Sequence, residues 1–427
     1  MVKAIKIVFF SKIIGILILS KRVAIAGAGI GGLCCAVALA KRGCKVTVYE
    51  QATAIAEVGA GLQLSPNAMH VLNELGVSSI LQPQAFCPQH AVMRHYQSGK
   101  NYFSVPLGKH CEQRFGASYW HVHRADLHQA LYQACLEKSV TIQLNSQVLS
   151  YQQSENKQQA NRPSVSVTLA NQQQVEVDVL IGADGIHSKV QAQLLKNLFL
   201  TSTPKFTGQV AWRGTVNTKD LPPNFVEPNA NLWVGPGKHF VSYYVRGGEQ
   251  INFVAIEERN DWQEESWSQE GDILQLRDLF KDWHPQVREI LAAVPRCFVW
   301  ALHDREPLST WVDGRVSLLG DACHPMLPFL AQGAAMAIED SYVLAAVLAK
   351  NDNIAEALVE YQHQRLTRTR TIQLSARKNA SLYHMSRGMD RAKLAVLAAL
   401  SGTGISSTLA SKMLEATYAH NVVKDMA

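Results

Sequence analysis

A chain of 427 residues with 47% hydrophobic content can bury a large core and divide it between two closely packed domains. The net charge of +6 belongs to the start: residues 1–22 hold Lys3, Lys6, Lys12, Lys21 and Arg22 and no acid. The body carries about +1 (6 − 5), which gives no case for a nucleic-acid partner. Eight cysteines show neither a CxxC pair nor metal-ligand spacing, so no metal centre is expected and a reducing cytoplasm fits.

Residues 5–20 are apolar but interrupted by Lys6 and Lys12. The run is short for a spanning helix, which needs ~20 residues. It has the basic start of a signal peptide without a small-x-small cleavage site. An interfacial anchor, an extra element on the body and an extension upstream of the fold all remain open. The last is preferred, because the first strand of the fold begins only at Arg22–Val23.

Residues 23–26 read as a short buried strand, and Gly27, Gly29 and Gly32 follow in GxGxxG spacing. A helix then runs from Leu33, and residues 46–49 form the next strand, with Glu50 at its end. This is the βαβ dinucleotide fingerprint in its full context. Gly27 makes the tight turn, Gly29 admits the pyrophosphate to the helix N-terminus, and Gly32 lets helix and strand pack closely. Glu50 accepts hydrogen bonds from a ribose diol and repels a 2′-phosphate, so FAD or NAD fits at this point; Gln51 beside it is a second cofactor-facing candidate. Cys34 and Cys35 read as small core residues within the helix.

His121 and His123 alternate on a strand with no third ligand at suitable spacing and are expected to be structural. Residues 156–163 are polar and read as a hairpin tip. Residues 179–181 form another buried strand, ending in the turn Gly182-Ala183-Asp184-Gly185. Read alone, Asp184 bonds its own backbone; as one of three strand-terminal Gly/acid turns it becomes a cofactor residue.

The segment 201–310 is rich in alternating strands and suggests an antiparallel sheet. His239 and Tyr243, four apart on a strand, share a face. Trp212 and Arg213 fall on opposite faces, so only one faces a pocket. Trp262, Trp267 and Trp283 read as packing anchors.

Residues 316–319 form a buried strand ending in Gly320-Asp321. A proline-spaced loop through Pro328 and Phe329 leads to the small residues Gly333, Ala334 and Ala335, which open an apolar helix. The small residues admit a flat ring. The helix N-terminus, with unpaired N–H groups and about half a positive charge, suits a reduced flavin. This segment selects FAD over NAD. Beyond Asp340 the pattern is helical; Arg365, Arg368, Arg370 and Arg377 read as a solvated face, and His324 as a residue that orders the loop.

These three segments, in this order, resemble the class A flavoprotein aromatic hydroxylases of the p-hydroxybenzoate hydroxylase fold, and among them the salicylate hydroxylase-like branch. The likeness runs from about Lys21 to the last helices and extends to residues 59–67, His123-Arg124-Ala125-Asp126-Leu127, Trp212-Arg213-Gly214 and residues 233–239. It implies that Glu50 holds the adenosine ribose and Arg124 contacts FAD. Asp184 lies near the pyrophosphate and the nicotinamide path, and Asp321 binds the ribityl chain. Pro328 presents its carbonyl near the reacting ring, and Ala334 lies against the flavin.

The implied reaction is a monooxygenation in which NADH or NADPH reduces the flavin and O2 adds at C4a. The terminal oxygen of the hydroperoxide is attacked by an electron-rich ring. A phenolate reacts well and a phenol poorly, so a base is needed; His239, helped by Tyr243, is the candidate. In relatives that act on hydroxybenzoates or hydroxynicotinates, a His-x-x-x-Tyr pair at this place contacts substrate. Phe329 stands where salicylate and hydroxynicotinate enzymes of this kind carry histidine, and Gln63 where the hydroxynicotinate branch does, which argues against salicylate itself. Phe329 would wall a ring, and Arg213 or Arg246 would pair with a carboxylate.

The expected architecture is α/β. A Rossmann-like FAD domain of the glutathione-reductase type (21–200 and 311–350) carries an inserted antiparallel-sheet substrate domain (201–310), with C-terminal helices (351–427) and the extension 1–20. The expected partner is a small aromatic, acting on a cytoplasmic monomer or homodimer, with membrane contact by the extension not favoured. A membrane-associated quinone-precursor hydroxylase, an NAD-dependent dehydrogenase and a flavin-binding scaffold are the other classes in view.

Overall fold

The computed structural model describes residues 20–55, 60–154, 164–259, 261, 269–385, 388–400 and 403–427. The apolar basic start, Gly59, the 156–163 hairpin tip, Trp262 and Trp267 lie outside them.

Two large sheets organise the chain. The first has six strands in the order β18 (Val312–Asp313), β19 (Val316–Leu318), β11 (Val179–Gly182), β1 (Arg22–Ala26), β2 (Lys45–Tyr49) and β7 (Thr141–Gln143). All its neighbours are parallel except β18 and β19. The unbroken apolar runs of β1 and β11 are what a parallel sheet covered on both faces requires. Helix α1 (Ile30–Lys41) packs against the later helix α7 (Gly333–Lys350), and Cys34 and Cys35 are fully buried there. A small sheet of β8 (Val148–Ser154), β9 (Ser164–Leu169) and β10 (Gln174–Val177) lies alongside.

The second sheet has eight strands, in the order β16 (Glu270–Gly271), β17 (Cys297–Asp304), β12 (Lys205–Asn217), β15 (Gln250–Glu258), β14 (Lys238–Val245), β13 (Ala230–Gly235), β4 (His90–His95) and β5 (Asn101–Pro106). Its last two strands come from residues 90–106, inside the stretch read as cofactor domain, so the two domains interleave. One face buries Val210, Trp212, Phe240 and Phe253 against α5 (Ile273–Leu279) and α6 (Pro285–Ala293), with Trp283 in the same core. The opposite face carries Ala211, Ile256 and Trp300, which pack on Leu327, Phe329, Ala376 and Ala380.

A two-stranded piece, β3 (Gly61–Leu64) and β6 (Trp120–His123), leads into α2 (Pro66–Glu74) and α3 (Arg124–Glu137); α4 (Lys189–Asn197) follows β11. Helix α8 (Ile354–Tyr383), about 45 Å long at 1.5 Å per residue, runs from α7 to the second sheet. It carries a second departure from the sequence reading. Arg365 is 1% exposed and Arg368 only partly exposed, and both are tied to acids of α7; Arg377 is paired with Asp304 and Glu306. Arg370 is exposed, as read, but the other three do not form a solvated face: Arg365 and Arg368 neutralise acids that α7 buries, and Arg377 ties α8 to the end of β17.

Candidate functional site

The glycine turn between β1 and α1 behaves as its spacing predicts. Gly27 has φ +99°, and a Cβ there would lie 2.5 Å from the Ala183 carbonyl oxygen; a Cβ on Gly32 would lie 2.0 Å from the Gly27 oxygen. These two positions are closed by the protein itself. Gly29, the residue before the first turn of α1, has nothing within 4 Å of such a Cβ. The fingerprint therefore leaves open space directly in front of a helix N-terminus, which is what a pyrophosphate needs. Glu50 closes the turn from the end of β2: its carboxylate accepts N–H bonds from Ala28 (2.7 Å) and Ala52 (2.8 Å). Gln51 is exposed and accepts a bond from Gln147 (2.9 Å).

Asp184, at the end of β11, accepts from the Ser188 hydroxyl and from the N–H groups of Lys189 (2.8 Å) and Val190 (3.3 Å). It caps α4, the local role that the turn alone suggested. Burial nonetheless pushes its carboxyl up, against the pull of those bonds.

The third turn lies at β19. Asp321 is solvent-exposed yet surrounded by protein mass, the signature of a group on the wall of a deep cleft. Burial pushes its carboxyl up, while His324 and Arg124 pull it down. Arg124, first residue of α3, is held by its N–H bond to the Ala60 oxygen (3.0 Å). Gly333 and Ala334 are half-exposed at the mouth of α7, a helix buried from Ala335 to Leu348. The first-turn N–H groups of α7 thus open on the cleft. Between the two, the Pro328 carbonyl accepts the Ala331 N–H (3.1 Å), and the Phe329 carbonyl accepts the Tyr383 hydroxyl (3.1 Å).

A buried polar cluster holds this loop from behind. Arg365 bridges Glu339 (2.6 Å) and Asp340 (2.7 Å); His324 Nε2 lies 2.5 Å from Asp340; Arg368 bonds Glu339 (2.8 Å). Asn67 donates to Glu339 (2.6 Å) and Gln332 (3.1 Å), and Gln332 donates to Ser65 (2.9 Å). Burial alone would raise both acids. Arg365 and Arg368 outweigh it at Glu339 and hold it at about 2, and His324 with Arg365 lowers Asp340. His324 thus orders the loop, as expected. Cys323 is within 4.8 Å of His324 and Asp340, but that carboxylate is already engaged by His324 and Arg365.

The eight-stranded sheet turns one face to this loop. Strand register sets His239 opposite Ile256, and Tyr243 opposite Asn252; Arg213 and Val241 both face Val254. Arg213 stacks on Trp300 (3.8 Å from guanidinium carbon to ring centre). Burial, then Arg124, pushes its guanidinium down to about 9, which leaves it charged at neutral pH. Trp212 points the other way and donates to Glu257 (2.9 Å), so Arg213 is the member of that pair on the loop side. Tyr243 packs on His121 (4.6 Å), and burial raises its hydroxyl against the pull of Arg213. Gln63 accepts from the Tyr119 hydroxyl (2.7 Å). His121 is walled by Phe86, Tyr119 and Tyr243, and burial pushes it down to about 3; His123 caps α3 through the Ala125 N–H (3.3 Å).

His239 is buried, its ring 5.3 Å from Phe329 and 5.4 Å from Tyr383. Its Nδ1 lies 2.8 Å from His384 Nε2. Burial and then the neighbouring His384 hold its imidazole well below the usual histidine range. Sequence reasoning missed Tyr383 and His384, which enter from the end of α8; no motif or spacing announces them.

A parallel sheet with its glycine cradle, a second acid turn beside it, and a mainly antiparallel sheet packed on the 320–334 loop define a dinucleotide-binding flavoprotein. A model of the FAD binding domain family matches residues 20–374. The chain is 38% identical over 372 residues to a 3-hydroxybenzoate 6-hydroxylase from Polaromonas naphthalenivorans, covering 86% of this chain and 89% of that one. It is 34% identical over 369 residues to a 6-hydroxynicotinate 3-monooxygenase from Pseudomonas fluorescens, covering 85% and 92%. Among solved structures, a salicylate hydroxylase substrate complex superposes with a TM-score of 0.79 at 25% identity, over 95% of this chain and 97% of that one. Klebsiella pneumoniae HpxO with FAD and uric acid gives 0.77 at 29% identity, over 92% and 97%. The chain belongs to the FAD-binding family and, within it, to the class A flavin aromatic hydroxylases. It is an FAD-dependent monooxygenase that uses NAD(P)H and O2 on a small aromatic substrate, which sets aside the dehydrogenase reading.

Proposed function

We propose that this enzyme hydroxylates a small phenolic acid, or the equivalent hydroxylated heterocycle, held between the substrate sheet and the 320–334 loop. The pyrophosphate of FAD sits at Gly29 on the N-terminus of α1, between Gly27 and Gly32, with Asp184 near it. Glu50 takes the adenosine ribose with Gln51 beside it, Arg124 and Asp321 take the chain leading to the flavin, and Gly333 and Ala334 lie along the ring. When bound, FAD passes electrons from NADH or NADPH to O2 and supplies the electrophilic oxygen.

The observation that carries the substrate reading is that Arg213, His239 and Tyr243 share the sheet face turned to Phe329. The charged Arg213, pinned on Trp300, pairs with the substrate carboxylate. His239 takes the phenolic proton, which makes the ring nucleophilic. Tyr243 positions the hydroxyl, Gln63 borders the pocket, Phe329 walls the ring, and the Pro328 carbonyl faces the reacting carbon. We place the enzyme in the cytoplasm: all eight cysteines are free. Among the described residues no helix is long and apolar enough to cross a membrane.

The test is a panel of 3-hydroxybenzoate, 4-hydroxybenzoate, salicylate and 6-hydroxynicotinate, scored for accelerated NADH or NADPH oxidation and for a hydroxylated product. At least one non-salicylate member should be turned over. Failure of every member to accelerate oxidation would overturn the phenolic-acid reading. Protein that stays colourless with added FAD would remove its foundation.

A further inference from the structure

Behind His239, titratable side chains form a line from the buried face of the sheet to the surface. His239 Nδ1 lies 2.8 Å from His384 Nε2, and His384 Nδ1 lies 3.0 Å from Glu258 Oε1. The His384 side chain is 0% exposed and that of Glu258 44%. The turn between β13 and β14 fixes the middle of the line: the Gly237 N–H donates to the His384 carbonyl (2.9 Å). Phe329 and Tyr383 pack on the His239 ring, and Gln209 Nε2 lies 3.5 Å from His384 Nδ1.

The partners dictate the tautomers. An ionised carboxylate only accepts, and its 3.0 Å contact outranks Gln209 Nε2, which at 3.5 Å is beyond ordinary hydrogen-bond length, so His384 Nδ1 carries its hydrogen; in the neutral ring that is the one N–H, and His384 Nε2 is then an acceptor. His239 must then donate from Nδ1, and its Nε2 keeps a lone pair. Among the described residues no hydrogen bond engages that nitrogen.

We propose that His239, His384 and Glu258 form a proton wire that carries the phenolic proton of the substrate out to solvent. This rests on the reading of His239 as the base. The O–H bond of the substrate breaks as an N–H bond forms at His239 Nε2. The Nδ1 proton of His239 passes to His384 Nε2, and the Nδ1 proton of His384 passes to Glu258, which exchanges it with water. Each ring gains one proton and gives one; after the ring is hydroxylated the reverse hops bring one proton in from water and deliver it from His239 Nε2 to the product oxygen, which restores both tautomers. The arrangement answers a physical need. A buried imidazolium without a counter-charge is costly, and burial holds His239 well below its ordinary range, so a proton taken there has to be passed on.

Two measurements decide it. The first is ¹⁵N-histidine NMR of the FAD-loaded protein without substrate. Nδ1–H and bare Nε2 are expected at both His239 and His384; an Nε2–H at His239 overturns the wire, whatever the substrate is. The second uses whichever panel compound is turned over. Glu258→Gln keeps an acceptor oxygen but cannot take a proton. It should slow hydroxylation with FAD affinity unchanged, and formate buffer should restore the rate. His384→Gln should lose on the order of 10²-fold, within the range for general base catalysis. An unchanged rate in Glu258→Gln, or a slowed one that formate leaves alone, would overturn the wire. If no panel compound is turned over, the substrate reading falls, and the tautomers still decide the wire.

Discussion

The ring of Phe329 lies 5.3 Å from the imidazole of His239, so the 320–334 loop and the eight-stranded sheet meet through two side chains 90 positions apart. Tyr383 closes the same contact, packing on His239 (5.4 Å) and donating to the Phe329 carbonyl. Phe329 therefore serves both as mortar between domains and as a wall for His239. Phe329→Ala should cost about 3–5 kcal/mol, as large buried truncations do, seen as a lower urea midpoint. In the folded remainder water gains access to the loop, and less product should form per NAD(P)H oxidised. Product yield equal to that of the parent would show that Phe329 is packing alone.

His239→Ala should slow hydroxylation by roughly 10²–10⁴-fold, the usual contribution of a positioned base, while FAD affinity stays at the parent value. The two effects separate because His239 stands on β14 of the eight-stranded sheet, and the glycine cradle is built by β1, β2 and α1. The deficit should shrink as pH approaches the ionisation of the substrate's own phenol, near ~10 for a simple phenol. Rapid-mixing measurements of product formation across pH give both numbers. Loss of flavin from His239→Ala would show that the residue serves the cofactor instead.

The glycine fingerprint makes a contrast that one spectrum can read. Gly29 has φ −69° and ψ 179°, which any residue adopts, and empty space where a Cβ would go. Gly29→Val should therefore fold normally and lose FAD affinity, because its side chain enters the pyrophosphate space. A Cβ on Gly32 would collide with the Gly27 backbone at 2.0 Å, so Gly32→Ala should lower the melting temperature of the apoprotein itself. Thermal unfolding with and without FAD separates the two. A Gly29→Val protein that binds FAD as tightly as the parent would put the pyrophosphate elsewhere.

What the sequence disclosed was local. Gly27, Gly29, Gly32 and Glu50 lie within one βαβ unit, so their geometry is written in their spacing. Asp321, Gly333 and Ala334 are similarly placed by one strand, one loop and one helix. The period of two put His239 and Tyr243 on one face of their strand before any pairing was known; that Arg213 rather than Trp212 shares this face took the strand register. His384 was not legible, because it joins His239 from 145 residues away through a helix terminus without a motif. Arg365, Arg368 and Arg377 of α8, unlike the exposed Arg370, were misread for a related reason. A charged stripe on a helix has the same pattern whether it meets water or the acids of another helix, and only the packing of α8 on α7 decides. The pairing of β4 with β13 was equally hidden, since a strand's sequence does not name a neighbour more than 100 residues on.

The cluster beneath the loop gives the last prediction. Arg365 is the shared partner of Glu339 and Asp340, all three fully buried. Removing one partner of a buried ion pair strands the rest, at a cost of about 3–5 kcal/mol. Arg365→Met keeps most of the volume and loses the charge, so it should fall by that amount in urea unfolding of the FAD-saturated protein. The pH dependence has a definite sign. Glu339 is held at about 2 against an ordinary 4.5. A carboxyl depressed in the folded state contributes stability that is present above its unfolded value and lost as pH falls toward the folded one. At about 1.4 kcal/mol per pH unit, Glu339 should contribute on the order of 3 kcal/mol at neutral pH, lost between about pH 4.5 and 2. Lowering of Asp340, under His324 and Arg365, adds in the same direction. The parent should thus lose stability steeply in that window, and Glu339→Gln should start lower at pH 7 and show a shallower slope. Parallel acid-unfolding curves for the two proteins would show that the pairs formed by Glu339 do not govern acid stability. Since α7 and Gln332 reach the flavin loop through this cluster, flavin release should follow the same acid limb.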